Sequence, residues 1–105
     1  SAPMKYARRK DANQDALARF MGAMGAWVLD THATAGAVPG FPDLMVFRGT
    51  SFWWCEVKNP GKYTLTPAEA AFHLAARAHG RPVHILQTED DCSAMLGAKF
   101  HGERR

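Results

Sequence analysis

The feature that most constrains the fold is a pair of apolar segments separated by only two residues. Residues 43–48 and 51–58 are rich in aromatic and β-branched side chains, which favour strands. Gly49-Thr50 between them suits a two-residue turn with glycine first. Because both alternating faces of the pair are mostly apolar, the sequence predicts a central hairpin that is covered on both sides.

A helix is predicted before this hairpin. Across residues 11–25, apolar side chains recur at every third or fourth position, as on one face of a helix. Asp11 and Gln14 have the spacing of a capping box at its start. Residues 26–29 then form a short apolar run that predicts a strand.

A second helix is predicted after the hairpin. Thr66 precedes a proline and stands three residues before Glu69, which is the pattern of an N-cap with its capping box, and the helix ends near Gly80. A strand at 83–87 and a short helix at 90–96, capped by a residue at or near position 88, follow. The order α-β-β-β-α-β-α predicts an α/β fold, a mixed central sheet flanked by helices.

Composition is that of one globular domain, residues 1–105, with 47% hydrophobic residues and no run long enough to cross a membrane. Two cysteines are too few for a disulfide scaffold, so a reducing, cytoplasmic compartment is expected. Thirteen Lys and Arg against ten Asp and Glu give a net charge of +3. The basic residues crowd the predicted tails, 1–10 and 97–105, which are either solvated ends or contacts for a polyanion.

Two carboxylates are predicted to meet at the end of the hairpin. With Arg48 paired to Ser51, the same register places Asp43 opposite Glu56, where Cβ atoms lie about 4.5–5.5 Å apart. Lys58 projects from the same face. Because opposed like charges are destabilising, either an ion pair with Lys58 or a hard divalent cation is expected to offset them.

These residues also carry a family resemblance. Pro42-Asp43 on one strand and Glu56-Val57-Lys58 on the next resemble the motif of the PD-(D/E)XK nuclease superfamily. With the segments 11–14, 40–44 and 65–69, the chain is similar to the stand-alone VRR-NUC domains of bacteriophages, which resemble Holliday-junction resolvases. The resemblance extends from about residue 10 to residue 96.

The resemblance implies a restriction-endonuclease-like αβββαβ core and Mg²⁺- or Mn²⁺-dependent hydrolysis of DNA phosphodiester bonds. Asp43, Glu56 and the Val57 carbonyl would bind the metal. Lys58 would orient or deprotonate the attacking water, or stabilise charge on the phosphorane. The implied substrate is branched DNA, the implied assembly a homodimer, and the implied location the cytoplasm of a bacterial host.

Two positions depart from the family pattern. Gln14 stands where members commonly have a glutamate, and it is either a weak metal ligand, a capping residue or both. Glu69 stands where relatives often have glutamine, and capping explains it well. The departure at Gln14 keeps a second function open, a DNA-binding or inhibitory module without catalysis. A nuclease for linear or single-stranded DNA is a further alternative.

Basic residues near the predicted site are candidates for backbone contacts to DNA. They are Arg8, Arg9 and Lys10 in the first tail and Lys62 in the loop after the hairpin. Phosphate contacts position a nucleic acid without reading its bases, and no base-reading motif is visible. The sequence therefore favours structure-selective or non-specific cleavage.

The remaining aromatic and histidine residues have ordinary structural interpretations. Trp27, Trp53 and Trp54 are spaced as core residues, and this role is preferred over base stacking. His73 follows Glu69 by one helical turn and is expected to be a partly buried helix residue.

Overall fold

The computed structural model describes residues 13–32 and 38–104, with side chains described up to residue 97. Within them lie three helices and four strands, and no described helix is both long and apolar enough to span a bilayer. The elements are α1 (Gln14–Ala23), β1 (Trp27–Asp30), β2 (Leu44–Arg48), β3 (Ser51–Val57), α2 (Pro67–Ala78), β4 (Val83–Leu86) and α3 (Glu89–Arg104). This confirms the predicted α/β class, the element order and the mixed sheet flanked by helices.

The sheet has the order β1-β2-β3-β4, so the hairpin β2–β3 is central as predicted. The pairs β1–β2 and β2–β3 are antiparallel, and β4 runs parallel to β3. The hairpin register runs from Arg48 opposite Ser51 to Leu44 opposite Cys55, which confirms the predicted pairing. Gly49 has a φ of +60°, which a turn with glycine first requires.

One face of the sheet carries the hydrophobic core. Helices α1 and α3 contribute to it together with alternate residues of β2, β3 and β4. Every second side chain of the hairpin points to this face, and two such positions on each strand, Leu44 and Val46 on β2 and Cys55 and Val57 on β3, are fully buried. The buried apolar residues are Leu17, Met21, Leu44, Val46, Cys55, Val57, Leu86, Cys92 and Leu96.

The opposite face is aromatic and is covered less completely. Phe72 of α2 packs edge-on against Trp54 of β3 and Phe41, with ring centroids 5.4 and 5.6 Å apart. Trp27 is 61% exposed beside Phe47, so its prediction as a core residue is wrong. The reason is topological, because β1 is an edge strand and α2 packs at Trp54, on the other side of the hairpin.

The predicted N-terminal caps are present in two of the three described helices. Thr66 and Glu69 form the predicted capping box of α2, and Thr88 caps α3 by accepting a hydrogen bond from the Asp91 N–H at 3.2 Å. In α1, however, Asn13 is the N-cap and Gln14 the first helical residue. The capping box predicted for Gln14 is therefore wrong at that residue; its partner Asp11 lies outside the described residues.

The last helix is longer than predicted. The sequence indicates a helix at 90–96 and a tail from 97, whereas α3 continues to Arg104. The basic N-terminal segment, with Arg8, Arg9 and Lys10, lies outside the described residues, and its proposed contacts remain predictions.

Candidate active site

Asp43 is held at the end of the hairpin by backbone contacts. It directly precedes β2, and one of its carboxylate oxygens, Oδ2, accepts a hydrogen bond from the Val57 N–H at 2.9 Å. Its carbonyl accepts another from the Thr31 N–H, also at 2.9 Å, and the Thr31 hydroxyl donates to the carbonyl of Pro42. The side chain of Asp43 thus accepts the hydrogen bond of a β3 backbone N–H just beyond the last backbone pair of β2 and β3, Leu44 with Cys55.

Glu56 is the most perturbed acid of the site. It is 2% exposed, and burial raises its pKa to about 9, with further contributions from the adjacent carboxylates of Asp43 and Glu69. Among the described residues no donor reaches its buried Oε1 atom. The predicted meeting of Asp43 with Glu56 is present, and the raised pKa of Glu56 means that this residue carries a proton at neutral pH.

Lys58 bridges two acids on the same face of the sheet. Its ammonium lies 3.0 Å from Glu69 Oε1 and 3.7 Å from Glu56 Oε2, and its side chain is 16% exposed. Of the ion pairing expected between Lys58 and the hairpin acids, the contact with Glu56 is present, but the shorter contact of Lys58 is with Glu69 on α2. An ammonium at this position is a mobile point charge that can reach a ligand beside Glu56.

Glu69 belongs to the site as well as to the helix cap. Its Oε1 accepts from the Thr66 N–H at 2.9 Å and from Lys58, and its own N–H donates to the Thr66 hydroxyl at 3.1 Å. Burial alone would raise the pKa of Glu69, but these hydrogen bonds outweigh it and leave that pKa below its usual value. Sequence reasoning gave Glu69 little weight because a capping box already explained it.

His73 lies one turn after Glu69 and is partly buried, as predicted. Its Nε2 is buried, and no described group is hydrogen-bonded to it. Burial lowers the pKa of His73, and the nearby charges of Glu69 and Lys58 act in opposite directions on it. A neutral imidazole therefore forms one wall beside the ion pair.

Gln14 is directed at an acid that the sequence analysis did not single out. It is 1% exposed, and its amide Nε2 donates to Asp30 Oδ2 at 3.2 Å. Asp30 also accepts from the His32 N–H at 2.8 Å. Sequence reasoning missed Asp30, although an acid directly after the apolar run at 26–29 was the available signal. Because β1 ends where β2 begins, Asp30 lies at the same end of the sheet as Asp43.

A glycine fixes the loop before Asp43 against α2. Gly40 has a φ of +76°, and a Cβ added there would overlap the Ala68 carbonyl and lie 2.7 Å from the Glu69 nitrogen. Phe41 continues this contact by packing on Trp54, with centroids 5.5 Å apart. The close approach brings the loop that carries Asp43 onto the helix that carries Glu69.

The loop after β3 is tied to the end of β4. The amide of Gln87 donates to the carbonyls of Asn59 at 2.9 Å and Gly61 at 2.6 Å. Lys62 and Tyr63 line an open depression of about 480 Å³ on this loop. Lys62 is thus exposed on the loop that follows Lys58, and its role as a backbone contact stays a prediction.

The donor set at the end of the hairpin suits a hard divalent cation. Asp43 and Glu56 supply carboxylate oxygens, which Mg²⁺ and Mn²⁺ prefer as ligands. One of them, the Oε1 of Glu56, has no hydrogen-bond partner among the described residues. Since the N–H of Val57 points to Asp43 and both polar groups of a strand residue point the same way, its carbonyl is directed there too. In the described part of the chain no three His, Cys, Asp or Glu side chains form a ready-made metal site; Mg²⁺ commonly takes one or two carboxylates with water and phosphate.

No protein-family model matches the chain, and no curated protein is significantly similar to it. The resemblance to the nuclease superfamily, carried by Pro42-Asp43 and Glu56-Val57-Lys58, therefore stays a prediction.

Proposed function

We propose that this protein is a divalent-metal-dependent, structure-selective DNA endonuclease that hydrolyses phosphodiester bonds. The observation that carries the proposal is the buried Glu56, which lies beside the half-buried Asp43 and in contact with Lys58. Glu56 has an oxygen that no described donor reaches, and its burial among acids raises its pKa to about 9. A strongly perturbed acid beside an ammonium is typical of a functional site.

A purely structural role explains this arrangement poorly. Burial next to another carboxylate makes ionisation of Glu56 costly, and Lys58 gives its shorter contact to Glu69. Mg²⁺ or Mn²⁺ at Asp43, Glu56 and the Val57 carbonyl would offset that cost. When bound, such an ion lowers the pKa of water and stabilises charge on phosphate oxygens.

Lys58 is the residue that we propose to act on the attacking water. Its ammonium reaches Glu56 from one side and is held by Glu69 from the other. Because Glu69 is anchored in the capping box, it restricts where the ammonium can lie. We assign Lys58 to orienting or deprotonating water, or to stabilising the phosphorane, and Glu69 to positioning Lys58.

The acid that relatives carry on the first helix has a substitute nearby. Gln14 occupies that position and donates to Asp30, so a carboxylate lies one hydrogen bond away from the expected place. In this proposal Asp30 and Gln14 would together hold water near the bound metal. Gln14→Glu would tighten metal binding if residue 14 is itself a ligand; an unchanged metal titration would remove it from the site.

Branched DNA is the proposed substrate, bound by a homodimer. The net charge of +3 favours a polyanion, and Lys62 on the loop after β3, with Arg8, Arg9 and Lys10 on the N-terminal segment, would contact its backbone. Symmetric cutting of a four-way junction needs two active sites related by a two-fold axis. A nuclease for linear or single-stranded ends would use the same residues.

A second candidate function is a DNA-binding or inhibitory module without catalysis. The observations that favour it are the neutral Gln14 and the short Lys58–Glu69 contact, which engages the lysine in the fold. This candidate predicts tight DNA binding without strand cleavage.

The test is a cleavage assay on end-labelled four-way junction, linear duplex and single strand, each with Mg²⁺, Mn²⁺ or EDTA. Glu56→Gln is the inactive variant, and the exposed Glu89→Gln is the matched control for the same chemical change. Metal-dependent, symmetric cuts in the junction alone support a resolvase. Cutting of every substrate supports a general nuclease. Equal cutting by the wild type and Glu56→Gln, or binding without cutting, would refute the proposed catalysis.

A further inference from the structure

A second concave site lies on the same side of the sheet as the acids. A cavity of about 290 Å³ opens between β3 and the C-terminal half of α2. Trp54 and Phe72 form two of its walls, with ring planes at 84° and centroids 5.4 Å apart. The other lining residues are Ala75, Ala76, His79 and Arg81. Two flat aromatic walls and two small residues leave a space suited to a planar ring.

The end of α2 brings an arginine to this cavity. Gly80 has a φ of +80° and donates to the Arg77 carbonyl at 3.0 Å, while the Arg81 N–H donates to the Ala76 carbonyl at 2.9 Å. These two bonds form a Schellman motif, in which the residue after glycine commonly makes an apolar contact with the helix. Here that residue is an exposed arginine, so the cavity has a cationic rim where an apolar side chain would ordinarily close it.

We propose that this cavity, the ring pocket lined by the six residues above, binds one unpaired nucleobase of the DNA substrate. The proposal rests on the proposed nuclease function and specifies its substrate. Bases stack on aromatic side chains, and the guanidinium of Arg81 complements the phosphate of the same nucleotide. The volume lies at the lower end for small-molecule pockets, which suits one nucleobase better than a peptide segment.

The ring pocket is close enough to the acids to act on the same DNA strand. Trp54 precedes Glu56 by two residues on the same face of β3, a spacing of about 7 Å. Phe72 follows Glu69 by three residues on the same side of α2. Successive nucleotides lie about 3.4 Å apart when stacked, so a base within a few nucleotides of the cut can reach the ring pocket. A base paired within a duplex cannot enter, so the base that binds should be one left unpaired at the branch point, beside the cut.

The test fills the ring pocket and measures binding in EDTA, where no strand is cut. Ala76→Leu occupies the space without changing charge, and Ala70→Leu, on the exposed opposite side of α2, is the matched control. The probe is a short single strand that carries the fluorescent base 2-aminopurine, with a blunt duplex for comparison. The wild type and Ala70→Leu should bind the strand and quench its fluorescence. Ala76→Leu should bind it about 10-fold more weakly, without quenching, and keep its affinity for the duplex.

A surface variant keeps the test decisive if Ala76→Leu does not fold by circular dichroism. Arg81→Gln changes an exposed side chain and should weaken single-strand binding while reducing its salt dependence. Unchanged single-strand affinity and quenching in the folded variants would overturn the inference. So would an equal loss for strand and duplex, the absence of DNA binding by the wild type, or a change in sedimentation alone, which would assign the ring pocket to a second copy of the chain.

The outcomes also separate this inference from the proposed function. Junction cleavage by the wild type together with unchanged strand binding by Ala76→Leu would remove the ring pocket and leave the nuclease. Quenching that Ala76→Leu abolishes, without cleavage of any substrate, would leave the base-binding site and remove the catalysis.

Discussion

Replacing Glu56 with glutamine should stabilise the metal-free protein at neutral pH. Burial and the neighbouring acids raise the pKa of Glu56 from an ordinary value of 4.5 to about 9. The folded state therefore binds more protons than the unfolded state between these two pH values, and the free energy of unfolding falls as pH rises through that window. Glutamine resembles the protonated acid, can donate to Asp43 as that acid does, and does not titrate.

The expected size of the effect follows from the same two pKa values. Each pH unit inside the window lowers the stability of the wild type by about 1.4 kcal/mol. This loss of stability in the wild type is absent below pH 4.5, reaches about 3 kcal/mol at pH 7, and is complete above pH 9. Glu56→Gln should therefore match the wild type near pH 4.5 and exceed it increasingly toward pH 9. At pH 7 the gain corresponds to roughly 10 °C or more in Tm for a domain of this size.

The assay is urea unfolding of both proteins at unit steps from pH 5 to pH 9 in EDTA. Glu89→Gln is again the control, because it makes the same chemical change at an exposed position. Curves of wild type and Glu56→Gln that stay parallel across this range would refute the reasoning. Adding Mg²⁺ or Mn²⁺ should reverse the order, since only the wild type can release a proton and bind the ion through a carboxylate.

Three further predictions concern neighbouring residues. Lys58→Ala should lower cleavage by at least about 100-fold in the junction assay while Tm changes by only a few degrees; retained cutting would exclude Lys58 from the chemistry. Gly40→Ala should lower the free energy of unfolding by at least about 2 kcal/mol, because its Cβ overlaps the start of α2, whereas Gly22→Ala, with open space around it, should be neutral or stabilising by urea titration. Asp30→Asn should raise the Mg²⁺ concentration needed for half-maximal cleavage, and an unchanged metal titration would remove Asp30 from the site.

The fold was predictable where local signals agree with the topology. The two-residue turn at Gly49 fixes the hairpin register, and the register then brings Asp43 to Glu56. Trp27 was mispredicted because spacing along a strand indicates a face of the sheet but not whether a helix covers that face. The predicted length of α3 is too short because the C-terminal half of this helix is polar and lacks the apolar pattern that indicates a helix.

The candidate site was predictable only in part, for a reason that lies in how its acids are connected. Asp43, Glu56 and Lys58 lie on one hairpin, so pairing alone relates them. Glu69 and Asp30 reach the site through contacts between elements, the Lys58 ion pair and the Gln14 amide, and strand register says nothing about those. The same contacts supply what the hairpin lacks, an anchor for the lysine and a carboxylate beside the neutral helix residue. The rate of the proposed cleavage should therefore depend on the two acids that the sequence motif does not contain.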